Sequence, residues 1–546
     1  MTDHRHDHGQ PSDASRDDVP GANQPRGSTD RHDADGRQRG HANQPHRVPS
    51  SERDRRDAHG HQRGAARSAG RTQRSAQAPS ARARSGDPAR RAALRVLREV
   101  AEADAYANLV APKVLAEHRL HGRDAGFATE LAYGTLRLRG RYDAVLALVV
   151  DRDLDRLDPP VLDVLRLGAH QLFAMRVPTH AAVSATVALA REQVGTGPGQ
   201  LVNAVLRTLA AQPLDTWLDR AEASAGDDPD ARLAARWSHP AWIVRALRQA
   251  LVTHGRRPDE LVDLLAANND PPPVTLTARP GLITTADLAE QVSGTPGTLA
   301  PTAVVLGGGD PGRCEAVRDG AAGVQDEGSQ LVALALAAAA LDGPDKTWLD
   351  MCAGPGGKAA LLGAVGASRG AHLVANEPAP HRVRLVTTAV TALTNVEVRT
   401  GDGRETGTTE PGMYDRVLVD APCTGLGALR RRPESRWRRT PADLPPLGNL
   451  QRELLASALG AVRVGGVVAY VTCSPHLAET SLVVNDALRA ATRAGLGAQV
   501  IDAAPVLHEV CGAGHPDAVT GSGTVQLWPH IHGTDAMFLA LVRRTA

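Results

Sequence analysis

Asp420-Ala421-Pro422-Cys423 and Thr472-Cys473-Ser474-Pro475 each place a cysteine at the end of an apolar run, downstream of the turn Cys352-Ala353-Gly354-Pro355-Gly356-Gly357-Lys358. The chain has only five cysteines and three lysines (Lys113, Lys346, Lys358), so two cysteines and a lysine in one such set is an improbable coincidence. Strand-end thiols after a nucleotide-type cofactor turn suggest group transfer onto an electrophilic ring carbon. Methylation at carbon 5 of a pyrimidine needs such residues. That carbon is barely nucleophilic until a thiolate adds to carbon 6. An acid at ring nitrogen 3, here Asp420, makes the addition feasible. A base must then strip the carbon 5 proton so that the thiol can leave, and a second cysteine can serve. Spacing alone does not say which of Cys423 and Cys473 is the nucleophile.

The elements that must position these groups read as a parallel α/β sheet. Trp348 to Met351 and His372 to Ala375 read as strands, and Val417 to Val419 and Val467 to Val471 are continuous apolar runs, as buried strands require. Lys358 to Val365 reads as the helix after the turn. Such sheets bind ligands at the carboxyl ends of their strands. Glycines at Gly354, Gly356 and Gly357 let the backbone approach a ligand, and a helix N-terminus attracts negative charge. Glu377, at the end of the next strand, can accept from both ribose hydroxyls of an adenosine-containing cofactor, and Asp402 can hold the adenine amino group. The turn has neither P-loop nor dinucleotide spacing, which favours S-adenosyl-L-methionine. Lys358 either contacts that cofactor or caps the turn against solvent. Cys352 is expected to pack against the cofactor; Cys314 and Cys511 are read as inert core residues.

At 546 residues there is room for three or four domains. The first 86 residues contain Met1, Val19 and Val48 as their only larger apolar side chains, so they are expected to be disordered. Eight of the 21 histidines fall there without regular ligand spacing, and no metal is expected. The net charge of +1 does not announce a nucleic-acid binder, so RNA contact would rest on local basic patches. An odd cysteine count without paired spacing, no signal segment and no long apolar span predict a cytoplasmic chain without membrane contact. Residues 87–212 show helical spacing, with Asp158 before Pro159 and Pro160 as a capped helix start. An acidic stretch, Ala223 to Asp230, reads as a linker. Helical pattern resumes from Trp242 to Ala266, and Val274 to Thr277 opens a small α+β module.

The run Asp420 to Gly427, the arginine-rich Arg430-Arg431-Arg432-Pro433-Glu434 after it, the cofactor turn and Thr472-Cys473-Ser474 together resemble the Sun/NOL1/NOP2 family of RNA cytosine-5 methyltransferases. The helical region resembles the NusB-type domain of its bacterial Sun (RsmB) subgroup. Trp237-Ser238-His239-Pro240, Gly323 to Glu327 and Pro529 to Phe538 are similar to its connecting and closing motifs. Leu276-Thr277-Ala278-Arg279 departs from the family's Leu-Arg-Val-Asn, and Glu377 stands where Asp is commoner. The resemblance implies Cys473 as nucleophile and Cys423 in product release. Pattern and resemblance together divide the chain into a tail read as disordered from its composition (1–86), an all-α NusB-like domain (87–213), a helical linker with a small α+β module (214–324) and a Rossmann-like, doubly wound methyltransferase domain (325–546). Small-subunit (16S) ribosomal RNA is the implied substrate, with transfer RNA as runner-up and a monomer expected. Arg430, Arg431, Arg432, Arg436, Arg438 and Arg439, with Trp437, are expected to contact phosphates and bases of a flipped or unpaired cytosine's surroundings. A noncatalytic RNA-binding or antitermination factor is the competing class, but pure binding needs no strand-end thiols. A methyltransferase for protein or a small molecule would leave the arginines without a purpose.

Overall fold

A computed structural model describes residues 87–103, 105–512 and 523–546 of the chain. The expected disordered tail and its histidines lie outside the described residues.

The first helices are α1 (Pro88–Glu102), α2 (Ala107–Glu117), α3 (Gly122–Arg137), α4 (Arg139–Leu146), α5 (Pro159–Phe173), α6 (Thr179–Gln193) and α7 (Thr196–Leu209). On α1 the apolar positions Ala89, Ala92, Ala93, Val96, Leu97 and Val100 recur at helical spacing and are buried. They pack with Leu131, Tyr142, Leu165 and Leu206 into a core of their own. The Asp87 carboxylate caps α1 by accepting from the Ala89 N–H. Asp158, expected to cap α5, makes no side-chain cap bond. Pro160 removes one donor such a cap would serve, and the other, the Val161 N–H, donates to the Asp158 main-chain carbonyl at 2.8 Å, so the fixed proline φ starts this helix without a side-chain cap.

The acidic stretch predicted as a linker is only a turn. It joins α8 (Leu214–Ser224) to α9 (Pro229–Trp237), whose Asp228 side chain caps it. The single helical pattern from Trp242 to Ala266 is also divided, into α10 (Ala241–Thr253) and α11 (Leu261–Ala267). Gly255, at φ +75°, and Pro258 break it. A four-stranded antiparallel sheet follows, in the order β2 (Thr295–Pro296), β3 (Ala303–Val305), β1 (Thr275–Ala278), β4 (Ala322–Val324), with α12 (Thr285–Gln291) between β1 and β2 in the chain.

After α13 (Glu327–Ala338) comes the large sheet. Its strands β7 (Val396–Arg399), β6 (His372–Asn376), β5 (Thr347–Asp350), β8 (Tyr414–Asp420) and β9 (Val462–Thr472) are parallel neighbours in that order. β12 (Phe538–Arg544) and β10 (Ala498–Ile501) extend it antiparallel beyond β9, and β11 (Val525–Gln526) pairs with β12. The expected parallel sheet is therefore a mixed one. Helices α14 (Gly357–Ser368), α15 (Pro380–Ala389), α16 (Gly403–Thr409), α17 (Leu444–Ala461), α18 (Ser481–Arg493) and α19 (Ala503–Cys511) connect the strands. Alternate residues of β5 serve opposite faces: Trp348 joins one core cluster and Leu349 the other. Both faces are thus covered, which is why Val417 to Val419 and Val467 to Val471 read as unbroken apolar runs. Among the described residues no helix is long and apolar enough to cross a membrane.

Candidate active site

The strand order reverses between β5 and β8, where a doubly wound sheet opens its crevice. Adjacent parallel strands β8 and β9 pair Asp420 with Val471. The chain therefore leaves the sheet side by side at Cys423 and Cys473, and their sulfurs lie 3.4 Å apart. The turn after β5 brings the third group: Lys358, in the first turn of α14, donates from Nζ to Asp420 Oδ2 at 2.8 Å. Lys358 does not cap the turn against solvent; its side chain is 12% exposed and belongs to the thiol cluster.

The loop after Cys423 is clamped on several sides. The Gly427 N–H donates to the Cys473 carbonyl, and the Gly427 carbonyl accepts from the Ala536 N–H, both at 2.9 Å. A Cβ at Gly427 would lie 2.1 Å from the Ala536 carbonyl, so this close approach requires glycine. The buried Glu479 carboxylate accepts from the Thr424 N–H at 2.7 Å and from the Thr424 hydroxyl. Gln451 Nε2 donates to the Pro422 carbonyl at 2.8 Å. On the other loop, His254 Nε2 lies 3.1 Å from the Pro475 carbonyl, which accepts its proton.

The two thiols are not electrostatically equal. The hydrogen bond from Cys423 holds the Cys473 thiol below its ordinary value, against burial and Asp420, with Arg432 and Lys358 acting in the same direction. The same contact, burial and the Glu479 charge push Cys423 up. Cys473 is therefore the more acidic thiol of the pair and Cys423 the less acidic one.

The expected cofactor residues lie along the ends of β5, β6 and β7. Ala353 is buried and its N–H donates to the Asn376 carbonyl at 2.9 Å. The Gly354 N–H donates to Glu377 Oε2 at 3.1 Å, and a Cβ there would lie 2.4 Å from that oxygen. Pro355 follows, and Gly356, at φ +110°, turns the chain so that α14 starts at Gly357. Cys352 is half-buried beside them, its thiol pushed well up by burial. Asn376 Nδ2 bridges the Met351 and Gly401 carbonyls, fixing the loop that carries Asp402. The Asp402 carboxylate caps α16 and pairs with Arg404, away from the thiols.

Asp350 is the last residue of β5 and precedes the turn. It is 1% exposed, one of its oxygens has no partner, and burial followed by the Asp420 charge pushes it up to about 7. Asp350, Glu377 and Asp420 thus face Lys358 and Arg382. A crevice with that acidic excess fits a ligand carrying a sulfonium and an ammonium, as S-adenosyl-L-methionine does. The signal for Asp350 was its place, a carboxylate ending an apolar strand. Glu479 and His254 had no sequence signal.

The arginine cluster does not lie open for RNA. Arg436 is 0% exposed and donates to the Arg137, Ser238 and Asn268 carbonyls and to Asn269 Oδ1. Arg430 and Arg431 are paired with Asp326 and Asp535. Arg438 donates to the Val100 and Ala105 carbonyls, and Arg439 lies 3.8 Å from Asp443. Arg432 is the exposed member of the set. Four of these guanidinium groups, Arg430, Arg431, Arg436 and Arg438, bind protein rather than phosphate. Arg279, in the stretch that departs from the family pattern, is likewise spent on the Gly320 and Ala389 carbonyls.

Residues 338–543 match the model of the family described as 16S rRNA methyltransferase RsmB/F, and residues 87–211 match the NusB family. The chain is 51% identical over 459 residues to the Mycobacterium tuberculosis protein Rv1407, covering 84% of this chain and 97% of that one. It is 32% identical over 410 residues to ribosomal RNA small subunit methyltransferase B of Pseudomonas putida, covering 72% and 87%. The crystal structure of PH0851 shares the fold, with a TM-score of 0.67 at 20% identity over 84% of this chain and 98% of that one.

Proposed function

The chain belongs to the RsmB/F family of 16S ribosomal RNA methyltransferases, and on that premise we propose that it methylates carbon 5 of a cytosine in small-subunit RNA through a covalent adduct at carbon 6. The observation that carries this reading is the pair of sulfurs 3.4 Å apart beside the Lys358–Asp420 pair. A methyl transfer that needs no nucleophile would have no use for two adjoining thiols.

The Cys473 thiolate attacks carbon 6, which loads electron density onto the ring. The proton that ring nitrogen 3 takes up is drawn from the Lys358–Asp420 pair, so the acid expected of Asp420 alone is shared with the ammonium that binds it. Asp350, Glu377, Asp402 and the turn from Cys352 to Lys358 would hold S-adenosyl-L-methionine, which supplies the methyl group. The ring nitrogen 3 proton then returns to the Lys358–Asp420 pair, Cys423 in its deprotonated form accepts the carbon 5 proton, and the carbon–sulfur bond breaks with Cys473 leaving as thiolate. The same reading assigns residues 87–213 to the NusB-like domain, 214–324 to the connector and 325–546 to the catalytic domain.

Labelled methyl transfer to unmethylated small-subunit RNA, run beside Cys473→Ala and Cys423→Ala, tests the reaction and the roles together. Label on cytosine carbon 5, lost in Cys473→Ala, is expected, with a protein–RNA adduct accumulating on denaturing gels in Cys423→Ala. An adduct in Cys473→Ala would exchange the two roles. No transfer by folded wild type to any RNA would sink the reading.

A further inference from the structure

Where the helical domain meets the loop after Cys423, a cleft of about 400 Å³ opens. One wall is aliphatic, built from Leu97, Leu136, Leu157, Pro159 and Leu162; the other carries Glu434 and Trp437. Glu434 is 3% exposed. One of its oxygens accepts from the Ala107 N–H at 3.1 Å, and the other is buried without a partner. The Trp437 indole N–H is likewise buried and unpartnered. Its ring is seated on Gly140, where a Cβ would come within 2.3 Å, and the Arg139 guanidinium lies 5.5 Å from the ring centroid. A buried unpaired acceptor and a buried unpaired donor are each costly, so their presence in one cleft points to a ligand that pairs both.

Most cations lining the cleft are already committed, while Arg139, over the Trp437 ring, lies 3.6 Å from Asp143 with its Nε buried and unbonded. Arg98 and Arg166 bond Asp163, and Arg438 donates to backbone carbonyls. Little free positive charge is left for a phosphate. What remains is an acceptor, an N–H donor and a cation-backed aromatic ring facing aliphatic walls. A nucleobase has that complement: apolar faces, with amino donors and ring acceptors on its edge. The cleft also adjoins the chemistry. The Arg432 and Arg438 guanidinium groups each lie 5.3 Å from the Tyr106 ring centroid, and Arg438 lines the cleft while the Arg432 charge acts on Cys473.

We infer that this cleft receives an unpaired base of the substrate RNA other than the target cytosine, with Glu434 accepting from the base's amino group and Trp437 donating to its ring acceptor. The inference rests on the RNA methyltransferase reading and gives the helical domain a direct part in choosing the substrate.

Equilibrium binding of end-labelled single-stranded fragments of small-subunit RNA to the full chain tests it, with wild type beside Trp437→Phe and Glu434→Gln. Phenylalanine keeps an aromatic ring in the cleft wall while removing the N–H and the outer indole edge that meets Gly140; glutamine keeps an acceptor for Ala107. Each variant is expected to bind about tenfold more weakly, the scale of one base contact. Replacing bases one at a time by abasic sites should expose one position where wild type loses that factor and Trp437→Phe loses nothing further. Binding within twofold of wild type by both variants would overturn the inference. So would a loss spread evenly over all positions, because that reports only a disturbed junction. If Glu434→Gln loosens the domain contact, the Trp437→Phe scan decides alone. Binding is read without turnover, so absent methyl transfer would count against the reaction and leave this test standing.

Discussion

At Cys473 the neighbouring cations are Lys358 and Arg432, while Cys423 has the Glu479 carboxylate on its side. Burial pulls the Lys358 ammonium down, but Asp420 more than offsets it and keeps the charge in place. The thiolate is the reactive form, so kcat/KM should rise with pH as Cys473 deprotonates. Lys358→Met removes one cation near the sulfur and so raises its pKa. The rising limb of the pH profile is expected to move to higher pH, with kcat also reduced because the pair at ring nitrogen 3 is broken. An unshifted limb would show that Lys358 does not act on Cys473. At this scale the sequence was informative where a residue sat at a strand end: Cys423, Cys473 and Asp420 announce themselves. Lys358 was visible in the turn, but its partner was not, because Asp420 lies on another strand. Glu479 and His254 are lone residues of common types, and contact alone gives them roles.

The segment from Arg430 to Arg439 is where the element scale departs most from expectation. A run of arginines reads as a phosphate-binding surface, yet Arg436 is wholly buried, and burial pushes its guanidinium down to about 9, with Arg137 and Arg141 adding to the shift. Its four acceptors come from the end of α3, the residue after α9 and the two residues after α11. The loop after Cys423 is thus pinned to the helical domain and the connector at once. Arg436→Met leaves several buried carbonyls without a donor. It should destabilise the protein by at least about 3 kcal/mol, read as a lower thermal midpoint and easier proteolysis between the helical and catalytic parts. Full stability in that variant would show that the joint is held by other contacts. The strands and the cofactor turn, by contrast, were legible. Their apolar continuity and glycine spacing are local properties that burial on both faces of a sheet imposes.

On the scale of the whole molecule, the connector is more than a spacer, since His254 from the end of α10 reaches the loop that carries Cys473. His254 is 2% exposed, and burial pushes it down to about 4, the Pro475 hydrogen bond opposing. Its folded pKa lies below the ordinary 6.5, so the unfolded chain binds the proton more readily between these values. The contribution is therefore intact above about pH 6.5 and is lost as pH falls towards 4, roughly 3 kcal/mol in all. Unfolding measured across that range should fall less steeply in His254→Gln than in wild type; equal slopes would mean that the histidine is already protonated in the fold. The sequence by itself determined the order of helical and sheet regions, the parallel core of the sheet and the strand-end placement of the two thiols, because strand burial, glycine turns and strand-end residues are written within short windows. Tertiary structure alone decided which charge faces which sulfur, that β10 and β12 run antiparallel, and that the arginines serve as interior joints. Those outcomes depend on contacts between residues far apart in the chain, and a guanidinium looks the same in sequence whether its acceptor is a phosphate or a buried carbonyl.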